Sequence, residues 1–176
     1  MNKYLVVTVL TEDRPGVANQ LTSTVTENNC NILDSRMAAL GSEFAISMLI
    51  CGSAESILNF ENALTVLEEK LDLLTQTKYT EPADEHHSLL PYSIQVVSLD
   101  APGIIKDIST FFSNQSVNIE NIHSESYKAP HTAAPMLAVN MIVNLPESIK
   151  IADIREQFID YCDEINLDAS MEPLKT

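Results

Sequence analysis

Two short stretches place residues suited to holding a small charged molecule side by side: Asp13-Arg14-Pro15-Gly16-Val17 and Asp100-Ala101-Pro102-Gly103-Ile104. A glycine at the start of a helix lets a ligand approach backbone N–H groups that have no partner within the helix. Those groups favour a carboxylate. An aspartate beside them can accept a hydrogen bond from an ammonium group. Asn31 and Asn118, ahead of Ile32 and Ile119, add side chains that both donate and accept. Amide donors for a carboxylate and an acceptor for an ammonium are what a zwitterionic amino acid requires. The same residues also serve as plain turn and capping residues, so the elements around them decide which reading carries weight.

Those elements occur twice. Shifting the sequence by 87 residues aligns Leu5–Ser35 with Tyr92–Ile122 without a gap. The shift pairs Val9 with Val96, Asp13 with Asp100, Pro15 with Pro102, Gly16 with Gly103, Asn31 with Asn118 and Ile32 with Ile119. This is a duplicated unit. In each copy an alternating run (Leu5, Val7, Val9; Ile94, Val96) predicts a strand. Pro15 and Pro102 suit the first position of the helix that follows, where a missing N–H costs nothing. Val17, Leu21 and Val25, like Ile104, Ile108 and Phe112, recur every four residues and predict a helix with one buried face. Strands are expected at about 32–40 and 44–51, joined at Gly41, and at about 119–127 and 136–145, joined by the longer KAPHTAAP. A second helix follows in each copy, marked by Ile57, Phe60, Leu64, Leu67 and Leu71, and by Ile151, Ile154, Phe158, Cys162 and Ile165. A last strand lies near 73–79 and near 167–171. The fold class is α+β: two ferredoxin-like β-α-β-β-α-β modules, each an antiparallel sheet with its helices on one face. The expected domains are 1–80 and 92–176, with 81–91 as linker.

Charge and composition narrow the function. The chain of 176 residues carries a net charge of −15, with five basic and ten acidic residues in 1–80 and five and twelve in 92–176. Neither half offers the basic surface that neutralises phosphates, which argues against direct binding of nucleic acid or an anionic membrane. Cys30, Cys51 and Cys162 lack the spacing of a disulfide framework or zinc knuckle and read as small buried hydrophobes. His86-His87, with no acid or cysteine at ligand spacing, makes a poor metal site. Arg36, in the second strand, reads as solvent-facing, and the run DYCDEINLD as a solvated helix face and turn. No cofactor or metal is implied, and no Ser/His/Asp set clusters as a catalytic triad. MNKYLVVTVL reads as a first strand, not a signal peptide, no stretch is long enough for a membrane span, and a cytoplasmic location is expected.

This topology hosts unrelated functions. RNA-recognition chemistry needs sheet aromatics in a basic surround, whereas FAISMLI and MLAVNMIV contain Phe44 alone. Acylphosphatase-like chemistry needs an anion-cradling loop with an inward arginine, and Ala101 stands where Arg14 is in the first copy. The residues DRPGV with CNI, and DAPGI with VNI, resemble the ACT domain, a ligand-sensing module of amino-acid-regulated proteins. Two tandem copies over nearly the whole chain, with no catalytic domain, resemble the glycine cleavage system transcriptional repressor family. That resemblance implies a non-enzymatic regulator which restrains a LysR-type transcription activator by protein contact and is relieved by glycine. It implies a ligand bound between two modules, at Asp13, Arg14, Pro15, Gly16, Val17, Asn31 and Ile32. The corresponding set in the second copy is Asp100, Pro102, Gly103, Ile104, Asn118 and Ile119. Because Ala101 replaces Arg14, the two sites need not bind equally. A homodimer is compatible with this architecture. A stand-alone sensor acting on an enzyme or other signalling partner, and an enzyme of unrecognised type, are the alternatives.

Overall fold

The structure is a computed structural model that describes residues 2–82 and 89–174. The chain divides into two compact units, Met1–Asp84 and Glu85–Thr176. His86 and His87 lie outside the described residues.

The first unit runs β1 (Lys3–Glu12), α1 (Val17–Glu27), β2 (Asn31–Leu40), β3 (Glu43–Gly52), α2 (Ala54–Leu71) and β4 (Leu74–Thr80). Its sheet has the order β2-β3-β1-β4, with every pair antiparallel. The alternation in β1 divides its side chains between two faces. Leu5, Val7 and Val9 are fully buried beneath the helices, while Thr8 and Leu10 are exposed on the other face. Val17, Leu21 and Val25 of α1 and Ile57, Phe60 and Leu64 of α2 close that core over Ile46, Met48 and Ile50 of β3.

The second unit repeats this plan with β5 (Leu89–Leu99), α3 (Ile104–Asn114), β6 (Asn118–Lys128), β7 (Pro135–Pro146), α4 (Ile151–Glu164) and β8 (Asp168–Pro173), in the sheet order β6-β7-β5-β8. Strand β5 starts at Leu89, so the last residues of the segment read as a linker already pair with β7. Phe112 and Phe158 meet at a ring-centroid distance of 5.0 Å in its core.

The four helices of the described residues end in the same way. Asn29, Asp72, Ser116 and Asn166 adopt left-handed φ values of 52° to 56°. The next residue in each case (Cys30, Leu73, Val117, Leu167) is buried and donates its N–H to the carbonyl five residues earlier. This is the Schellman ending, in which an orphaned carbonyl and an apolar contact are satisfied together. It returns the chain into the sheet at a fixed angle, and so sets where each following strand begins.

Candidate functional site

Strand β1 ends at Glu12, and the N–H of Asp13 donates to the Ser42 carbonyl at 2.9 Å, fastening the loop to the β2–β3 turn. In the second unit the Asp100 N–H donates to the Pro135 carbonyl at 3.0 Å. The chain then turns through Pro15-Gly16 and Pro102-Gly103. Gly16 (φ 97°, ψ −12°) and Gly103 (φ 100°, ψ −13°) share one left-handed conformation. That is the third residue of a type II turn, which favours proline just before it. Proline is therefore not the first residue of the helix. It presets the turn, glycine is the N-cap, and α1 and α3 start at Val17 and Ile104. The expectation of a helix starting at proline overlooked the residue after it: only glycine enters this region without strain.

The Gly16 carbonyl accepts from the Gln20 N–H, and the Gly103 carbonyl from the Asp107 N–H, each at 2.9 Å. No side chain caps either helix. At α2, by contrast, the Ser53 hydroxyl accepts from the Ser56 N–H at 3.0 Å. The first turns of α1 and α3 thus present N–H groups with no helical partner, at the positive end of the helix dipole, on an exposed corner. Val17 and Ile104 are buried in the cores. Only their backbone, not their side chains, faces the corner.

Arg14 does not stand over the glycine. Its guanidinium donates to the carbonyl of Leu71, the last residue of α2, where a cation also meets the negative end of the helix. It lines a shallow pocket of about 420 Å³ with Thr11, Glu12, Ser42, Glu43 and Asp72 among its walls. Thr11 is buried, and its hydroxyl has no hydrogen-bond partner among the described residues. Its counterpart Ser98 is also buried and donates to the Leu99 carbonyl. The repeat pairs these two hydroxyls just ahead of each Asp-x-Pro-Gly corner, a signal sequence reasoning passed over.

Asn31 and Ile32 lie at the other end of the sheet. Asn31 pairs with Cys51, and Cys51 with Tyr4, whereas Leu40 and Glu12 both pair with Glu43. Along a strand of 10 residues this separates Asn31 from the corner by about 30 Å. Asn118 and Ile119 are placed likewise relative to Gly103. Ile32 and Ile119 pack against their cores, while Asn31 and Asn118 are exposed. A single unit therefore does not bring the two halves of the expected site together. Immediately after these asparagines, β2 and β6 carry matched bulges, at Leu33 and Glu120. Such irregularities re-aim the neighbouring side chains, and no residue type announced them.

Elsewhere, Arg36 is exposed and pairs with Asp34. Cys30 and Cys162 are buried as expected, but Cys51 is only half-buried because it faces away from the helices, beside Tyr4. Burial, and then Cys51, push the Cys30 thiol up. Burial, with a smaller contribution from Asp163, takes Cys162 to about 11. Neither the Cys30 nor the Cys162 thiol is poised as a nucleophile. Among the described residues no His/Cys/Asp/Glu group has the geometry to hold a metal ion, and no helix is long and apolar enough to cross a membrane.

The ACT domain model matches residues 3–78, which span the first unit's β1 to β4. The glycine cleavage system transcriptional repressor of Escherichia coli strain K12 is 34% identical over 168 residues, covering 96% of this chain and 88% of that protein. The chain belongs to the glycine cleavage system transcriptional repressor family. The repressor of Shigella flexneri matches to the same extent. A crystal structure assigned to a glycine cleavage system transcriptional repressor superposes over 100% of this chain and 99% of its own, with a TM-score of 0.74 and 27% identity. A protein of Galdieria sulphuraria shares the fold, with a TM-score of 0.82, 21% identity and coverage of 99% and 100%. The ACT match covers the first unit, and the second unit repeats its element order and sheet order.

Proposed function

We propose that this chain is a non-enzymatic regulator that binds a small amino acid, glycine first, and represses the glycine cleavage operon by contacting a LysR-type activator. The observation that carries this reading is the uncapped, exposed glycine corner. It offers backbone donors for a carboxylate beside an aspartate that suits an ammonium. Membership of the repressor family supplies the regulatory context. The net charge of −15 favours contact with a protein over contact with the DNA backbone.

The register of the sheet bears on how such a pocket would close. Strand β2 is an edge strand with exposed residues along most of its length, and long open edges invite pairing. Were that edge to pair antiparallel with the same edge in a second copy of this chain, the start of one β2 would lie against the end of the other, at the same end of the sheet as the glycine corner. Asn31 would then approach a corner that it does not reach within its own unit. A ligand seated there shifts the equilibrium with the activator only through different affinity for the free and activator-bound forms.

The test is co-purification of the full chain with the LysR-type activator of the glycine cleavage operon, with and without glycine. Specific capture that glycine weakens supports the proposal. Capture indifferent to glycine would refute the sensing step, and no capture would refute the repressive contact.

A further inference from the structure

The two corners share a backbone but differ in several side chains, and the differences at Gln20 and Ala39 bear most directly on a bound zwitterion. Under the repeat, Gln20 corresponds to Asp107, Ala39 to Ser126 and Arg14 to Ala101. At the first corner the side chain closest to Gly16 is an amide: Gln20 Nε2 lies 4.0 Å from where a Cβ on that glycine would sit. At the second it is a carboxylate: Asp107 Oδ2 lies 3.8 Å from the corresponding point at Gly103. Asp107 stands in the first turn of α3, whereas α1 has no acid in its first turn. A carboxylate there complements the helix dipole and repels an incoming anion. Lys106 does not offset it by pairing, since no salt bridge joins it to Asp107 among the described residues.

The acceptor for an ammonium group differs as well. Ser126 Oγ, on β6, donates to Asp100 Oδ2 at 2.8 Å and ties that carboxylate to the strand edge. Ala39 occupies the register-equivalent place in β2, and Asp13 accepts no side-chain hydrogen bond among the described residues. Ala101 also removes the Arg14 guanidinium, which in the first unit binds the Leu71 carbonyl and lines the neighbouring pocket.

We infer that the amino acid is taken only at the Gly16 corner, and that Asp107 with the Ser126–Asp100 bond closes the Gly103 corner to it. This rests on the amino-acid-binding reading above. The second unit keeps the corner's shape but sets the Asp107 carboxylate beside it, and there the Ser126 hydroxyl already donates to Asp100.

Calorimetric titration of the full chain with glycine tests this. One glycine per chain is expected, and Gln20→Asp should weaken binding by about tenfold or more through like-charge repulsion at the corner. Ala39→Ser should also weaken it, by tying up Asp13. The triple variant Ala101→Arg, Asp107→Gln, Ser126→Ala should raise the stoichiometry to two, with circular dichroism confirming that it folds. Two equivalent sites in the wild type, or unaltered affinity in Gln20→Asp, would overturn the inference while leaving amino-acid sensing intact. No heat with glycine, serine or alanine would overturn both.

Discussion

Replacing Gly16 with alanine isolates the energetic basis of the corner. Gly16 has φ 97°, and the nearest atom to an added methyl would be Gln20 Nε2 at 4.0 Å, so the substitution meets backbone strain without a steric clash. Holding an L-residue in the left-handed region costs about 1–2 kcal/mol. A φ some 40° beyond the usual left-handed value of about 57° puts the cost at the upper end. Alanine recovers about 0.4–1 kcal/mol by restricting the unfolded chain. The net loss is about 1 kcal/mol, roughly fivefold in the ratio of folded to unfolded first unit. Asparagine, which tolerates this region better, should lose less, and valine more. Gly52 makes the contrast: its added Cβ would lie 3.0 Å from Cys30 Sγ and 3.1 Å from Ser56 Cβ, so asparagine there should be worse than alanine. Amide hydrogen exchange in β1 and β3 across a urea series reads the first unit separately from the second. An unchanged first unit in Gly16→Ala, or the same ranking of substitutions at both glycines, would refute the strain argument.

Three further outcomes follow from the helix ends and the core. Ser53→Ala removes the one side-chain cap on α2 and should cost about 1 kcal/mol in urea unfolding. Ser116→Gly should stabilise the second unit by about 0.5–1 kcal/mol, because a serine there holds φ 55° at the end of α3. For Cys162 the folded pKa of about 11 lies above the ordinary 9.0. Below pH 9 both states hold the proton and the thiol's contribution is intact. Between 9 and 11 the unfolded chain releases its proton first, so stability falls as pH rises. Thermal unfolding across that window should decline less steeply in Cys162→Ala than in the wild type.

The repeat made most of the fold legible. Paired Pro-Gly residues, four-residue aliphatic spacing and alternating strands place each element within a few residues of its observed bounds, because all are local signals that the core then reinforces. The corner's chemistry was legible only in part. Pro15 and Gly16 announced a turn, but proline's preference for the first helical position pointed to the wrong cap, because the left-handed φ that only glycine takes without strain falls one residue later. Arg14 reaches Leu71, 57 residues away, and Ser126 reaches Asp100 across 26. Such contacts depend on which strands lie side by side, and periodicity does not report that. Asn31 was grouped with the corner on chemical type, yet strand register sets it at the opposite end of the sheet. The bulges at Leu33 and Glu120 are likewise register effects, invisible until β2 and β6 are laid against β3 and β7.

The most direct test of amino-acid sensing at the first corner is an amide correlation spectrum recorded by NMR during a glycine titration of the full chain. Saturable shifts centred on the Gly16, Val17 and Ala18 amides and the Asn31 side chain, with the Gly103 corner unmoved, are the predicted result. A spectrum unaffected by glycine and the other small amino acids, or shifts confined to surfaces remote from Gly16, would contradict it.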